Sequence, residues 1–233
     1  MIRAGLLLTL VLAVPAAAQD RAPVPFVGCA SDGQMGPVEA PDGKGQSPTA
    51  PAAVAGRLAY YASGDLAVLA PRGWHCFGLY GSNGAGLYVT PEPHGEALFD
   101  LPAPLTGPIV QVHFSYSGTS GRFEVARVIA RLFPARKAFA DAVLAEDTVS
   151  EGIVFGPFRT DRTSLLNDHE ARFETPAGQD GMGIGGRMAP GRDPVLGYAG
   201  LTADEDLLWV GARLPASERD LATAIVADVR AGS

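Results

Sequence analysis

The chain lacks most of the patterns that identify a familiar activity. Its 233 residues include only two cysteines and four histidines. The histidines form no HxH or HExxH pattern, and neither a D-x-D-x-D-G nor a G-x-S-x-G sequence occurs. These absences remove the usual signatures of catalytic zinc, of EF-hand calcium and of α/β-hydrolases. We therefore expect no cofactor and no metal, and the sequence alone identifies no reaction.

Positive charge is scarce as well. The 18 lysine and arginine residues are outnumbered by 25 aspartate and glutamate residues, which gives a net charge of −7 at pH 7. An acidic surface repels phosphate backbones, so we expect no nucleic acid among the partners of this protein.

Apolar runs are short, and the longest lies at the N-terminus. Residues 6–14 are apolar except for Thr9, between a basic start at residues 1–3 and the small residues 15–18. This order predicts a signal peptide over residues 1–18, cut after Ala18, and a periplasmic or secreted mature protein. A membrane-spanning helix needs about 20 apolar residues, so we expect no transmembrane segment. Loss of Arg3 with the signal changes the net charge from −7 to −8.

Both cysteines, Cys29 and Cys76, remain in the mature chain. In an oxidising compartment such a pair is usually a disulfide, and we predict that these two residues are joined. The alternative is a thiol nucleophile at Cys76. The adjacent His75 could not serve as its base, because neighbouring residues on a strand point to opposite faces.

Periodicity predicts a single α+β domain over residues 19–233, with a mostly antiparallel sheet and packed helices. Strands are predicted at residues 66–70, 74–80, 85–90, 107–116, 171–175, 195–201 and 207–214, and Asn83-Gly84 predicts a hairpin. Helices are predicted at residues 52–62, after Ser120 as N-cap, at residues 134–146 and after residue 217. Residues 37–51, rich in proline and glycine, predict an exposed loop.

Two further segments are predicted to be ordinary connections between structural elements and not binding sites. Residues 178–186 (GQDGMGIGG) are rich in glycine, but no Lys-Ser/Thr follows, so a flexible loop or tight strand connection is favoured over a phosphate loop. The acidic residues 204–206 are typical of a solvated hairpin turn and lack the ligand spacing of a calcium site.

One strand carries the best candidates for a surface site. In residues 107–116 the even-numbered positions are apolar from 110 onward, whereas Gln111, His113 and Ser115 share the opposite face. Alternation with period two predicts one buried and one wetter side. We therefore expect Gln111, His113 and Ser115 to face water, a cleft or a partner, and the sequence leaves open whether they line a pocket.

Several short sequences resemble a secreted proteobacterial family of unknown function. They are residues 31–34 (SDGQ), 73–78 (GWHCFG) and 207–210 (LLWV) with 213–215 (RLP). The resemblance implies no known activity and transfers no catalytic residue. The turn at residues 70–74 (APRGW) is also similar to one in Mog1/PsbP-like α/β sandwiches.

Two classes of function stay open. Export, acidity and the missing catalytic patterns favour a non-catalytic protein of the bacterial envelope that binds an envelope protein or a small ligand. The alternative is a periplasmic hydrolase of unfamiliar type, which would use Cys76 or Ser120 with His113 or His169.

Overall fold

The computed structural model describes residues 20–94, 104–146 and 158–229. The predicted signal peptide, residues 1–18, lies outside these ranges. Within them, every helix is too short or too polar to span a bilayer.

An open sheet of eight strands forms the centre of the molecule, and all but one of its strand pairs are antiparallel. The spatial order is β10-β11-β12-β13-β9-β8-β7-β3. The strands are β3 (Ser31–Gly33), β7 (His75–Gly81), β8 (Gly84–Thr90), β9 (Ile109–Ser115), β10 (Arg162–Leu165), β11 (Glu170–Thr175), β12 (Val195–Leu201) and β13 (Leu207–Arg213).

Smaller sheets and four α-helices complete the described part of the fold. Strands β2 (Phe26–Gly28), β5 (Leu58–Ser63) and β6 (Leu66–Pro71) form a three-stranded sheet, and β1 (Arg21–Pro23) pairs with β4 (Thr49–Pro51). The helices are α1 (Ala52–Ala55), α2 (Arg122–Leu132), α3 (Lys137–Leu144) and α4 (Arg219–Asp228). The chain is thus an α+β domain with a mostly antiparallel sheet, which confirms the predicted fold class.

Each face of the central sheet carries its own apolar core. On one face, Val110 and Val112 of β9 pack with residues of the three-stranded sheet and of α4. On the other face, Ile109 belongs to a second cluster with α2 and α3. Burial of apolar surface on both sides of one sheet is the main stabilising term in such a layered domain.

The predicted disulfide between Cys29 and Cys76 is confirmed. Cys29 follows β2 of the small sheet and Cys76 lies in β7 of the central sheet, so the bond joins two layers. The two cysteines are 47 residues apart. On the chain-entropy model, closing a loop of this length stabilises the folded state by about 4 kcal/mol.

The strand predictions hold, whereas the helix predicted over residues 52–62 is wrong beyond its first turn. Helix α1 ends at Ala55, and β5 begins at Leu58. Tertiary pairing decides this, because β5 has hydrogen-bonded neighbours on both sides. The Tyr61 hydroxyl also donates to the Pro71 carbonyl at 2.8 Å, which fixes the side chain in the core.

Two local predictions need correction. Ser120 is not the N-cap of α2, since Gly121 occupies that position without a side-chain cap; the Thr119 hydroxyl instead accepts a hydrogen bond from the Gly121 amide. Residues 37–51 are largely exposed, as predicted, but the last three form β4, in which Ala50 is fully buried.

Candidate functional site

The face of β9 that bears Gln111, His113 and Ser115, expected to face water, a cleft or a partner, is largely covered by other parts of the chain. Gln111 is fully buried and Ser115 is 8% exposed, while His113 keeps part of its surface accessible. Helix α2 and a glycine-rich segment cover this face of the sheet. Residues that are distant in sequence provide this cover, so alternation within the strand could not reveal it.

A small cavity lies beside His113, and glycines of the neighbouring strand β8 form part of its lining. In the β8–β9 register, Gly86 lies opposite His113 and Gly84 lies opposite Ser115. This cavity, here called the His113 pocket, has a volume of about 260 Å³. Its polar lining residues are Tyr80, Asn83, Tyr88, His113, Ser115 and Arg187.

Two tyrosines line the pocket, and of these two Tyr88 lies on the same face of the sheet as His113. The Tyr80 hydroxyl donates to the Gly36 carbonyl at 2.5 Å, which holds its ring in place. The phenol of Tyr88 lies over Gly86, where a Cβ atom would come within 2.9 Å of the hydroxyl. Burial raises the pKa of Tyr88 to about 12, against the opposing effect of the Arg187 charge. Tyr88 is therefore a neutral hydroxyl at physiological pH.

His113 is enclosed between two aromatic rings. Its imidazole makes edge contacts with Tyr88, at 5.2 Å between ring centroids, and with Trp209, at 5.6 Å. Its Nε2 atom is buried and has no hydrogen-bond partner within the described ranges. Burial lowers the pKa of His113 to about 4, although the nearby Glu124 carboxylate opposes that shift. The imidazole is consequently neutral at pH 7.

Residues 181–188, here called the glycine strap, cross over this imidazole. The Gln111 amide donates to the Gly185 carbonyl at 2.9 Å and its Oε1 accepts from the Arg187 amide at 3.3 Å. Gln111 therefore acts as an internal anchor, and not as the surface ligand expected from the sequence. A buried amide that is satisfied on both sides fixes the backbone it bonds.

A second anchor holds the beginning of the strap. The buried Asp161 carboxylate accepts from the Thr175 hydroxyl at 2.8 Å and from the Met182 amide at 2.7 Å. The Thr175 hydroxyl in turn accepts from the Gly183 amide at 2.8 Å. Residues 178–186, predicted to be a flexible loop or a tight strand connection, lie in the connection between β11 and β12, where Met182 is fully buried.

An ion pair between Arg127 and Glu124 of α2 lies close to the glycine strap. The Arg127 guanidinium donates to both carboxylate oxygens of Glu124, at 2.9 and 2.5 Å, and Arg127 is buried. Burial is the largest single effect on Glu124 and would raise its pKa, but the charge and the hydrogen bonds of Arg127, with a smaller effect of His113, together lower that pKa. The two charges compensate each other, so this pair adds little net charge to the pocket.

The candidates for hydrolysis do not come together. Cys76 is not a free thiol, because its sulfur is bonded to Cys29. Ser120 is exposed and makes no hydrogen bond to a histidine within residues 20–94, 104–146 and 158–229. His169 instead pairs with Asp168, at 2.7 Å, in the turn before β11. The same ranges contain no group of three or more His, Cys, Asp or Glu side chains placed to hold a metal ion.

Sequence reasoning missed three residues of the site: Tyr88, Trp209 and Arg187. A signal for the first existed, since Gly84, Gly86 and Tyr88 alternate on one face of a predicted strand and leave a gap beside a large ring. No comparable signal marks Trp209 or Arg187, which reach His113 through strand pairing and through the strap.

Comparison with family models, with curated proteins and with solved structures finds no match to this chain. The resemblance to a secreted proteobacterial family therefore stays a prediction.

Proposed function

We propose that this protein is an exported component of the bacterial envelope that binds a small polar molecule in the His113 pocket without transforming it. The observation that carries the proposal is the pocket itself. Gly86 of β8 and the Tyr88 ring line it beside His113, and the hydroxyls of Tyr88 and Ser115 have no hydrogen-bond partner within the described ranges. A concave site with a few unused polar groups is the usual form of a small-molecule site.

Export is supported by two independent features. The first is the order of basic, apolar and small residues over residues 1–18. The second is the Cys29–Cys76 disulfide, since such bonds persist in oxidising compartments and are rare in the cytosol. The intact mass of the exported protein tests this directly, and we expect a chain beginning at Gln19 with no thiol available to alkylation. A mass that includes residues 1–18 would contradict export by cleavage.

The state of His113 favours binding over catalysis. A general base works best when its pKa lies near the working pH. The imidazole of His113, with a pKa near 4, is a weak base, and no described hydroxyl or carboxylate is hydrogen-bonded to it. We therefore assign it the role of a neutral wall residue beside the ligand.

A larger cavity of about 460 Å³ lies on the opposite face of the sheet, but it is a weaker candidate. Its walls are mainly apolar side chains of the core on that face, among them Leu66, Val112 and Leu208. One of its acidic groups, Asp228, is already paired with Arg21 at 2.5 Å.

The binding proposal is tested by blocking the pocket. A panel of small polar molecules is screened by thermal shift, and the hits are measured by calorimetry against the wild type and Gly86→Val. The valine side chain would enter the space of the Tyr88 phenol, so we expect binding to be lost. Gly118→Val is the matched control, because open space surrounds Gly118. Binding that survives Gly86→Val would contradict the proposed site, and turnover of a hit or labelling by a fluorophosphonate would contradict a non-catalytic role.

A further inference from the structure

We propose that the ligand of the His113 pocket is a small monocarboxylate and that the guanidinium of Arg187 binds its carboxylate group. This inference rests on the proposed function and names the chemical class of its ligand.

The backbone of Arg187 is fixed from two sides. Its amide donates to Oε1 of Gln111 at 3.3 Å, and its carbonyl accepts from the Leu105 amide at 2.7 Å. The adjacent Gly186 packs against the His113 ring. The strap therefore delivers the Arg187 side chain to the pocket from a defined position, as a preorganised site requires.

The charge of Arg187 is not compensated within the described ranges. Arg127 is paired with Glu124, and Arg213 donates to three backbone carbonyls, but Arg187 has neither kind of partner there. The pocket lining contains no aspartate or glutamate. Arg187 is half-buried, and an oxyanion in the pocket would accept charge-assisted hydrogen bonds from its guanidinium.

The charges around the pocket favour an anion with a single negative charge. His113 is neutral at pH 7 because burial lowers its pKa to about 4, so it adds no second positive charge. Arg127 is neutralised by Glu124. One guanidinium matches one carboxylate through two parallel hydrogen bonds. A dianionic phosphate would leave one charge unbalanced in a protein whose net charge is −7.

The volume and the walls define the rest of the ligand. An apolar cavity of roughly 150 Å³ accommodates benzene, so the 260 Å³ of this pocket suffice for a molecule slightly larger than benzene. The Tyr88 ring lies on the same face of the sheet as His113 and contributes to the wall. Aromatic rings pack favourably edge to face with another ring. Benzoate is therefore a suitable probe.

The test compares three probes of similar shape by calorimetry on the intact mature protein. Benzoate carries one negative charge, benzamide is neutral and phenyl phosphate is dianionic near pH 7.5. We expect benzoate to bind at least tenfold more tightly than either of the others, which corresponds to about 1.4 kcal/mol. This comparison uses the wild type, so it does not depend on how a variant folds.

Variants then assign the effect to one side chain. Arg187→Gln should weaken benzoate binding by tenfold or more and leave benzamide binding unchanged. Arg192→Gln is the matched control, because Arg192 lies five residues further along and its side chain is 85% exposed. We expect it to bind benzoate like the wild type.

The outcomes separate the two proposals. Benzamide binding as tightly as benzoate, with both blocked by Gly86→Val, would overturn the monocarboxylate and leave the pocket in place. Tighter binding of phenyl phosphate, or equal loss of affinity in Arg187→Gln and Arg192→Gln, would also overturn it. Binding of none of the three probes would overturn the monocarboxylate, whereas the proposed use of the pocket is decided separately by the panel of small polar molecules.

Discussion

Gly186 lies so close to the imidazole of His113 that no side chain fits between them. A methyl group on Gly186 would stand 2.7 Å from Nε2 of His113 and still closer to Cε1. Gly186 also has a φ angle of +57°, in the left-handed region that L side chains rarely adopt. A single glycine thus allows the strap to cover the buried histidine and to place Arg187 at the pocket.

We expect Gly186→Ala to destabilise the protein more than Gly178→Ala. Both glycines have positive φ angles, +57° and +71°, so both substitutions carry the backbone strain of about 1 kcal/mol or more. Only Gly186 faces a ring, whereas open space surrounds Gly178. Overpacking should add at least about 1 kcal/mol in Gly186→Ala. Urea unfolding measures the difference, and equal losses would show that the strap moves freely away from His113.

Acidification should destabilise the fold through His113. The pKa of His113 is lowered from 6.5 to about 4 in the folded state. Between pH 6.5 and pH 4 the imidazole is therefore protonated in the unfolded chain and neutral in the folded chain. The free energy of unfolding attributable to His113 is therefore fully present above pH 6.5 and falls by about 3 kcal/mol as the pH drops to 4.

Comparison with His113→Gln isolates this contribution. Other groups also titrate in this range, but they remain in the variant, so the difference between the two pH profiles reports His113. We expect the stability of the wild type to fall more steeply between pH 6.5 and 4 than that of the variant. Parallel profiles would show that the imidazole is protonated in the folded state as readily as in water.

Asp161→Ala should loosen the strap and lower the free energy of unfolding by about 2 kcal/mol or more. The substitution leaves the Thr175 hydroxyl and the Met182 amide buried without their acceptor. Asp180→Ala provides the control, since Asp180 is exposed and should change stability by less than about 0.5 kcal/mol. Hydrogen exchange of the Met182 and Gly183 amides would localise the effect; slow exchange of both in Asp161→Ala would contradict the anchoring role.

Replacing both cysteines by serine should lower the free energy of unfolding by about 4 kcal/mol. The double variant Cys29→Ser/Cys76→Ser avoids a lone thiol and removes the covalent link between the small sheet and the central sheet. Chemical denaturation of the wild type with a reductant should approach the stability of this variant. An unchanged denaturation midpoint for both the double variant and the reduced wild type would mean that noncovalent packing alone holds the two layers together.

Local sequence determined the seven predicted strands, the hairpin and the fold class of this protein. Side chains alternate along a strand with period two, and Asn-Gly suits a tight turn. Strands and hairpin turns can therefore be predicted without knowing which strands pair. The disulfide was also predictable, because two cysteines allow a single intramolecular pairing.

Where contacts between distant residues override the local preference for helix or strand, only the tertiary structure decided which element forms and what covers it. Residues 58–62 follow a helical pattern yet form a strand, because β2 and β6 pair with them. The polar face of β9 was correctly separated from its apolar face, but its burial depends on a strap joined to Gln111 across 74 residues. Periodicity reports which residues share a face, whereas the segment that covers that face is set by contacts between distant parts of the chain.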